Sequence, residues 1–179
     1  KIHVASAIAV VVASVALGVL CQRWLAGRKS IVQYPVVFVH GFGNKGTTWL
    51  NKGYHQLAGD GEWFQYAGNL VIDSEGVRNE LDSSVTYQAP YPLFSVSLAK
   101  RGFGPIDESG RELGEFVEFV KRETRSRQVI LVGFSMGGIV CREYLTSPKY
   151  AGDVYQLITV SSPHLGSEFA VCYDIYKKL

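Results

Sequence analysis

Cysteine is scarce: Cys21, Cys141 and Cys172 are the three in 179 residues. They form no C-x-x-C pair and their number is odd, so neither a disulfide framework nor a thiolate zinc site organises the chain. Charge is also thin. Charged residues make up 19% of the chain, 18 basic against 16 acidic, too even a balance for a nucleic-acid-binding domain with its basic face. G-x-G-x-x-G, a Walker lysine and any His/Cys/carboxylate cluster at ligand spacing are all missing, so no cofactor and no metal are expected. Histidine is nearly as scarce, with four in the chain and His164 alone after residue 135. What is plentiful is apolar: 47% of residues, which excludes disorder for the bulk of the chain. The length suits one domain and not comfortably two.

The even charge balance conceals an asymmetry. Residues 1–30 hold four of the basic residues, Lys1, Arg23, Arg28 and Lys29, and no acid. Between them, Val4 to Cys21 is an uncharged run of 18 residues. As a helix it measures roughly 27 Å at ~1.5 Å per residue, close to the ~30 Å hydrocarbon core of a bilayer. Two readings compete. One is a cleaved secretory signal peptide, with small residues at Ser14-Val15-Ala16 or Ala16-Leu17-Gly18. The other is a single-pass signal anchor, because apolar residues continue through Leu20 without a break. As an anchor, the more basic C-terminal flank would sit in the cytosol with the body behind it. The domain proper is therefore expected over residues 31–179.

Along that body, short apolar runs alternate with helical patterns, which argues for an α/β fold with a mostly parallel sheet flanked by helices. Four strands are expected: Val36–Val39, Phe94–Leu98, Gln128–Val132 and Leu157–Val160, with a further short strand at Leu70–Ile72. A helix is expected from Thr48 to Leu57. A second is expected from a capping box at Ser109-Gly110-Arg111-Glu112 to about Glu123, with Leu113, Phe116, Val117 and Val120 as its apolar stripe. A third runs from Met136 to Leu145, stopped by Pro148. Cys141 falls in that helix as a small core residue. The stretch from Gly59 to Pro92 is irregular and aromatic (Trp63, Phe64, Tyr66, Tyr87, Tyr91), a candidate lining for an apolar acyl pocket.

The chemistry lies between the third strand and its helix. Gly133-Phe134-Ser135-Met136-Gly137 is G-x-S-x-G in strand–turn–helix context, the pattern of a nucleophile elbow. The turn must be tight and the serine backbone strained, so side chains at Gly133 and Gly137 would collide across it. The start of the helix adds a dipole that favours developing negative charge. Acyl transfer further needs two N–H donors aimed at the tetrahedral oxyanion. The glycine-rich loop after the first strand, His40-Gly41-Phe42-Gly43-Asn44-Lys45-Gly46, is placed to supply one.

Three segments occur in a set order: VVFVHGFGNKGTTW, VILVGFSMGGIVCREYL and LITVSSPHLGS. Together, from about Tyr34 to Phe169, they resemble the α/β-hydrolase superfamily, in particular its lipases and serine esterases. The Ser161-Ser162-Pro163-His164 turn also resembles that of GPI inositol-deacylases and related membrane-bound lipases. The resemblance implies a carboxylic ester hydrolase acting on lipid-like acyl esters through an acyl-enzyme, with Ser135 as nucleophile. It implies that the backbone N–H groups of Phe42 and Met136 form the oxyanion hole, and that His40 shapes the loop. Phe134 stands where lipases usually carry histidine.

A base and an orienting carboxylate are still required, and in this superfamily they follow the serine in the order acid, then histidine. Glu143 and Asp153 are the acids between Ser135 and His164, the first on the elbow helix and the second at the wrong end of the sheet. His164 itself is not expected to be the base. The remaining length also falls short of the fold's usual size and of its usual eight strands. The expectation is the N-terminal portion of a longer hydrolase whose later residues supply acid and histidine. A non-catalytic hydrolase-fold module is the alternative. No signal for an oligomeric state is present.

Overall fold

In the computed structural model, residues 34–49, 63–81 and 89–168 are described. The apolar leader, the helix expected beyond Trp49, Tyr87, Cys21, Cys172, His3 and His55 lie outside them. Among the described residues no helix is long and apolar enough to cross a membrane.

The sheet has six strands where four and a short fifth were expected. In chain order they are β1 (Val36–Val39), β2 (Phe64–Asp73), β3 (Gly76–Asn79), β4 (Tyr91–Val96), β5 (Val129–Phe134) and β6 (Val154–Val160). Their spatial order is β3-β2-β4-β1-β5-β6. All pair in parallel except β3, which runs antiparallel to β2. β1, β4 and β5 are apolar runs that lie buried, as parallel strands covered on both faces must be. Val36 sits between Leu93 of β4 and Ile130 of β5.

β2 and β3 depart furthest from the sequence expectation. β2 spans ten residues, not the three from Leu70 to Ile72, because a bulge between Tyr66 and Gly68 shifts its register against β4. A bulge resets the side-chain alternation, so the period-two pattern is broken in the sequence. β3 has Val77 as its one apolar side chain. Its turn is held by Asp73, which accepts the Glu75 N–H at 2.9 Å and pairs with Arg78 Nε at 2.8 Å.

Three helices are described: α1 (Thr47–Trp49), α2 (Ile106–Thr124) and α3 (Met136–Thr146). α2 and α3 cover one sheet face. There Leu113, Phe116, Val117 and Val120 meet Val37, Val39, Phe94, Leu131, Val140 and Cys141 in one buried cluster, each large side chain contributing about 1.5–3 kcal/mol by burial. Burial also pushes the Cys141 thiol far above its ordinary pKa, so it is an inert core residue. The other face packs Val36, Phe38, Leu93, Ile130 and Val132 under Trp49, whose ring lies 4.8 Å from that of Phe38.

The apolar stripe of α2 faces the core as its spacing predicts, but the helix starts earlier than Ser109. The helix begins at Ile106 behind Pro105, with no side-chain cap, and Ser109 lies buried inside it. A proline costs nothing at a helix start, where its missing N–H has no partner to lose. Glu112 does not return to the Ser109 N–H as a capping box requires. Its carboxylate accepts the N–H of Ala99 instead, at 2.7 Å.

Candidate active site

Every parallel strand ends at the same edge of the sheet, so the loops after β1, β4, β5 and β6 converge there. Ser135 is the single residue between β5 and α3. Its backbone is left-handed, φ 53° and ψ −121°, a conformation that costs a non-glycine residue about 1–3 kcal/mol and persists only where its surroundings enforce it. They do so by close approach. A Cβ on Gly137 would lie 2.4 Å from the carbonyl oxygen of Val39 and 2.7 Å from that of His40. One on Gly133 would lie 2.6 Å from the backbone of Gly138. These neighbours are backbone and cannot turn aside. The Ser135 N–H donates to Val160 O at 2.8 Å, which ties the elbow to the end of β6.

The loop after β1 lies directly against the serine. The position of a Cβ on Gly41 is 3.2 Å from Ser135 Cβ and 3.2 Å from the Phe134 ring. Phe134 stands edge-on to Trp49 at 6.2 Å between centroids, an apolar use of the position where histidine is usual. His40 is buried, 1% exposed. The backbone N–H of Leu98 donates to its Nε2 at 3.1 Å. A backbone N–H can only donate, so Nε2 is the unprotonated nitrogen and Nδ1 carries the proton. Nδ1–H then donates to Gly41 O at 2.8 Å, and the Asn44 N–H donates to the same oxygen at 3.2 Å. Burial holds the imidazole pKa below its ordinary value, in keeping with a neutral ring. In a trans peptide the C=O and N–H point in opposite directions. Two donors fixing the Gly41 carbonyl therefore fix the direction of the Phe42 N–H as well. Met136, at the first position of α3, carries an N–H with no intrahelical acceptor.

The segment after β4 braces this loop from the other side. Gly43 N–H donates to Arg101 O at 2.9 Å, and the Phe42 ring lies 4.6 Å from that of Phe103. Met136 Sδ occupies the space a Cβ on Gly102 would need. Ser135, Phe42 and Met136 are thus brought together, and the 97–103 segment that supports them carried no motif to reveal it.

The other candidates lie elsewhere. Asp153, before β6, is buried at the opposite edge, where it accepts the Tyr144 hydroxyl at 2.7 Å and Lys121 Nζ at 2.8 Å. Glu143 leans on Gly110 of α2. His164 is on the correct edge, but its Nε2 meets Thr159 Oγ1 at 3.2 Å and its carbonyl accepts Arg142 Nη1 at 3.1 Å. Among the described residues no hydrogen bond joins a histidine to Ser135. Of the aromatic stretch offered as a candidate pocket lining, Tyr87 lies outside the described residues. Phe64 and Tyr91, 5.5 Å apart, sit at the starts of β2 and β4, the edge away from Ser135. The described residues contain no group of three or more His, Cys, Asp and Glu able to hold a metal ion.

Known proteins match this arrangement in sequence and in shape. Residues 111–179 match the PGAP1-like alpha/beta domain family. Triacylglycerol lipase 2 of Saccharomyces cerevisiae is 32% identical over 84 residues, 44% of this chain and 26% of that one. The triacylglycerol lipase of Pseudarthrobacter phenanthrenivorans is 29% identical over 139 residues, 77% of this chain and 35% of its own length. The chain thus spans about a quarter to a third of the curated relatives it matches. Among solved structures, the lin2722 gene product of Listeria innocua superposes with a TM-score of 0.57 at 24% identity, covering 70% of this chain and 48% of that one. The mature lipase BlEst2 of Bacillus licheniformis gives 0.54 at 20% identity, covering 82% and 48%. In fold, and over part of their length in sequence, the chain is thus similar to lipases of the α/β-hydrolase fold.

Proposed function

We propose that the chain carries the nucleophile and oxyanion half of a serine-dependent carboxylic ester hydrolase acting on lipid-like acyl esters. The observation that carries the proposal is the enforced left-handed backbone of Ser135 with the Gly41–Phe42 loop against it. Ser135 Oγ attacks the ester carbonyl carbon, and the carbonyl π pair moves to oxygen. The N–H groups of Phe42 and Met136 hold that oxyanion, a function worth ~10²–10³ in rate per donor. Collapse expels the alcohol and leaves an acyl-serine, which water cleaves. The serine proton passes to a histidine base oriented by a carboxylate and from it to the departing alkoxide oxygen, both residues being supplied from outside the described ones, as the superfamily's order of triad residues implies.

A lipid-like substrate is supported by the triacylglycerol lipase names of the relatives and by the local surface. Phe103, 45% exposed and packed on Phe42, and the fully exposed Leu165 both stand on loops at the Ser135 edge. The apolar leader, read as an uncleaved anchor, would keep the domain at a membrane; read as a signal peptide, it would be removed. A second reading, a GPI-inositol-deacylase-like enzyme, is favoured by the match of residues 111–179 to the PGAP1-like domain.

A fluorophosphonate probe on the whole natural protein tests the assignment. Labelling that Ser135→Ala abolishes is the expected result. Labelling that survives the substitution overturns Ser135 as the nucleophile, and a whole protein that takes no label overturns the proposal in favour of a non-catalytic module. Hydrolysis assays on triacylglycerol and on inositol-acylated lipid then separate the two substrate readings.

A further inference from the structure

Two strands from β1 in the sheet, the side chain of Asn69 lies buried on β2, 3% exposed. An amide in such a place is costly unless its polar atoms are all satisfied, and here they are. Nδ2 donates to Glu80 Oε2 at 2.8 Å and to Ser97 Oγ at 3.0 Å. Oδ1 accepts from Ser95 Oγ at 2.9 Å and from Ser97 Oγ at 3.3 Å. The Glu80 carboxylate can only accept, so it fixes which end of the amide is NH2. With Asn69 Nδ2 and Gly46 N–H (2.9 Å) both donating to Ser97 Oγ, the hydroxyl proton is directed to Asn69 Oδ1. The bulge ahead of Asn69 sets it opposite Ser95 on the face that meets the loop. Gly46 rests on this amide: a Cβ there would lie 2.0 Å from Asn69 Oδ1 and 2.7 Å from Val96 O.

We infer that Asn69 is a positioning residue for the oxyanion loop, acting through Ser97 on the backbone of Gly46. The inference rests on Phe42 being an oxyanion donor. The loop from His40 to Gly46 is fastened at three points, all on one segment: His40 to Leu98 N–H, Gly43 to Arg101 O, and Gly46 to Ser97 Oγ. The first two hold the end nearest Ser135. The third holds the far end, and Asn69 with Glu80 behind it is what sets the direction of the Ser97 hydroxyl. Without that anchor the loop can shift away from the oxyanion, and the penalty falls on the transition state and not on substrate binding.

The test uses the full natural protein with Asn69→Ala, Ser97→Ala, Ser97→Thr and, as reference, Ser135→Ala. Rates are measured on an acyl ester and on its thionoester, whose larger sulfur anion depends less on hydrogen-bond donors. Asn69→Ala and Ser97→Ala should lower kcat by about 10-fold or more, part of the ~10²–10³ that a whole donor is worth. KM should stay within about twofold and the ester-to-thionoester rate ratio should fall with kcat. Ser97→Thr, which keeps the hydroxyl, should restore both. If Asn69→Ala fails to fold, Ser97→Ala, which removes one hydroxyl, decides alone. Unchanged kcat and unchanged ratio, with only thermal stability reduced, would make the network structural and overturn the inference. Activity surviving in Ser135→Ala would instead overturn the nucleophile assignment on which it rests.

Discussion

The imidazole of His40 accepts the backbone N–H of Leu98 at 3.1 Å, joining the loop after β1 to the loop after β4. The bond requires a neutral ring, and burial is the main reason the His40 pKa is lowered. Protonation would set a second N–H against that of Leu98. The folded pKa therefore lies below the unfolded value of ~6.5. Stability from this group is present above about pH 6.5 and declines as pH falls from there toward the folded pKa. Thermal melts between pH 8 and 5 should show Tm dropping on the acid side, with the slope reduced in His40→Gln. An equal acid slope in both proteins would remove His40 as its source.

Ser135 is held at φ 53°, where glycine sits without strain. Replacing it with glycine relieves about 1–3 kcal/mol and gives back roughly 0.5–1 kcal/mol in unfolded-chain entropy. A net gain near 1 kcal/mol should raise Tm by about 2–4 °C, while labelling by a fluorophosphonate is lost. A lower Tm in Ser135→Gly would mean that the elbow is not strained in solution.

The parts of this fold visible in the sequence are those whose residues decide their own environment. β1 and β5 are unbroken apolar runs because helices cover one face and Trp49 the other. The stripe of α2 follows from its single buried face. The elbow is visible because Gly133 and Gly137 have backbone where a side chain would go. What escaped detection is set by distant partners. β2 is concealed by its bulge and by Gly68 and Asn69, whose place in a strand makes sense only once Ser95 and Ser97 stand beside them. The start of α2 is not where the Ser109–Glu112 pattern puts it, because Glu112 is engaged by Ala99, a contact across the Arg101–Pro105 loop. Tethers from Ser97, Leu98 and Arg101 to the loop after β1 join residues more than fifty positions apart and leave no local pattern.

Gly137 separates steric demand from catalytic role. Its missing side chain would overlap the Val39 and His40 carbonyl oxygens, and both belong to the strand and loop that bring Phe42 to Ser135. Gly137→Ala must push β1 and α3 apart, a disturbance costing about 1–3 kcal/mol or more. The variant should show a reduced Tm together with a steep loss of fluorophosphonate labelling. Substitution at Gly152, where a Cβ would meet nothing within 4 Å but φ is +71°, should lower Tm modestly and leave labelling intact. Equal labelling in wild type and Gly137→Ala would contradict the close approach of loop and elbow.

Asp153 gives the complementary case, an acid downstream of Ser135 committed to structure. Its carboxylate is buried, bonded by the Tyr144 hydroxyl and by Lys121, so it fastens α3 and α2 to the entrance of β6. Burial, and then the bond to Asp153, push the Tyr144 phenol well above its ordinary pKa, keeping the donor protonated. Tyr144→Phe removes a hydrogen bond to a charged group and should cost about 1.5–3 kcal/mol. Asp153→Ala should cost at least as much, since it also strips Lys121, with its side chain 24% exposed, of its partner. Because this cluster lies at the edge away from Ser135, labelling per folded molecule should be unchanged in both variants. A loss of labelling in Asp153→Ala beyond its loss of folded protein would show that the acid influences Ser135 after all.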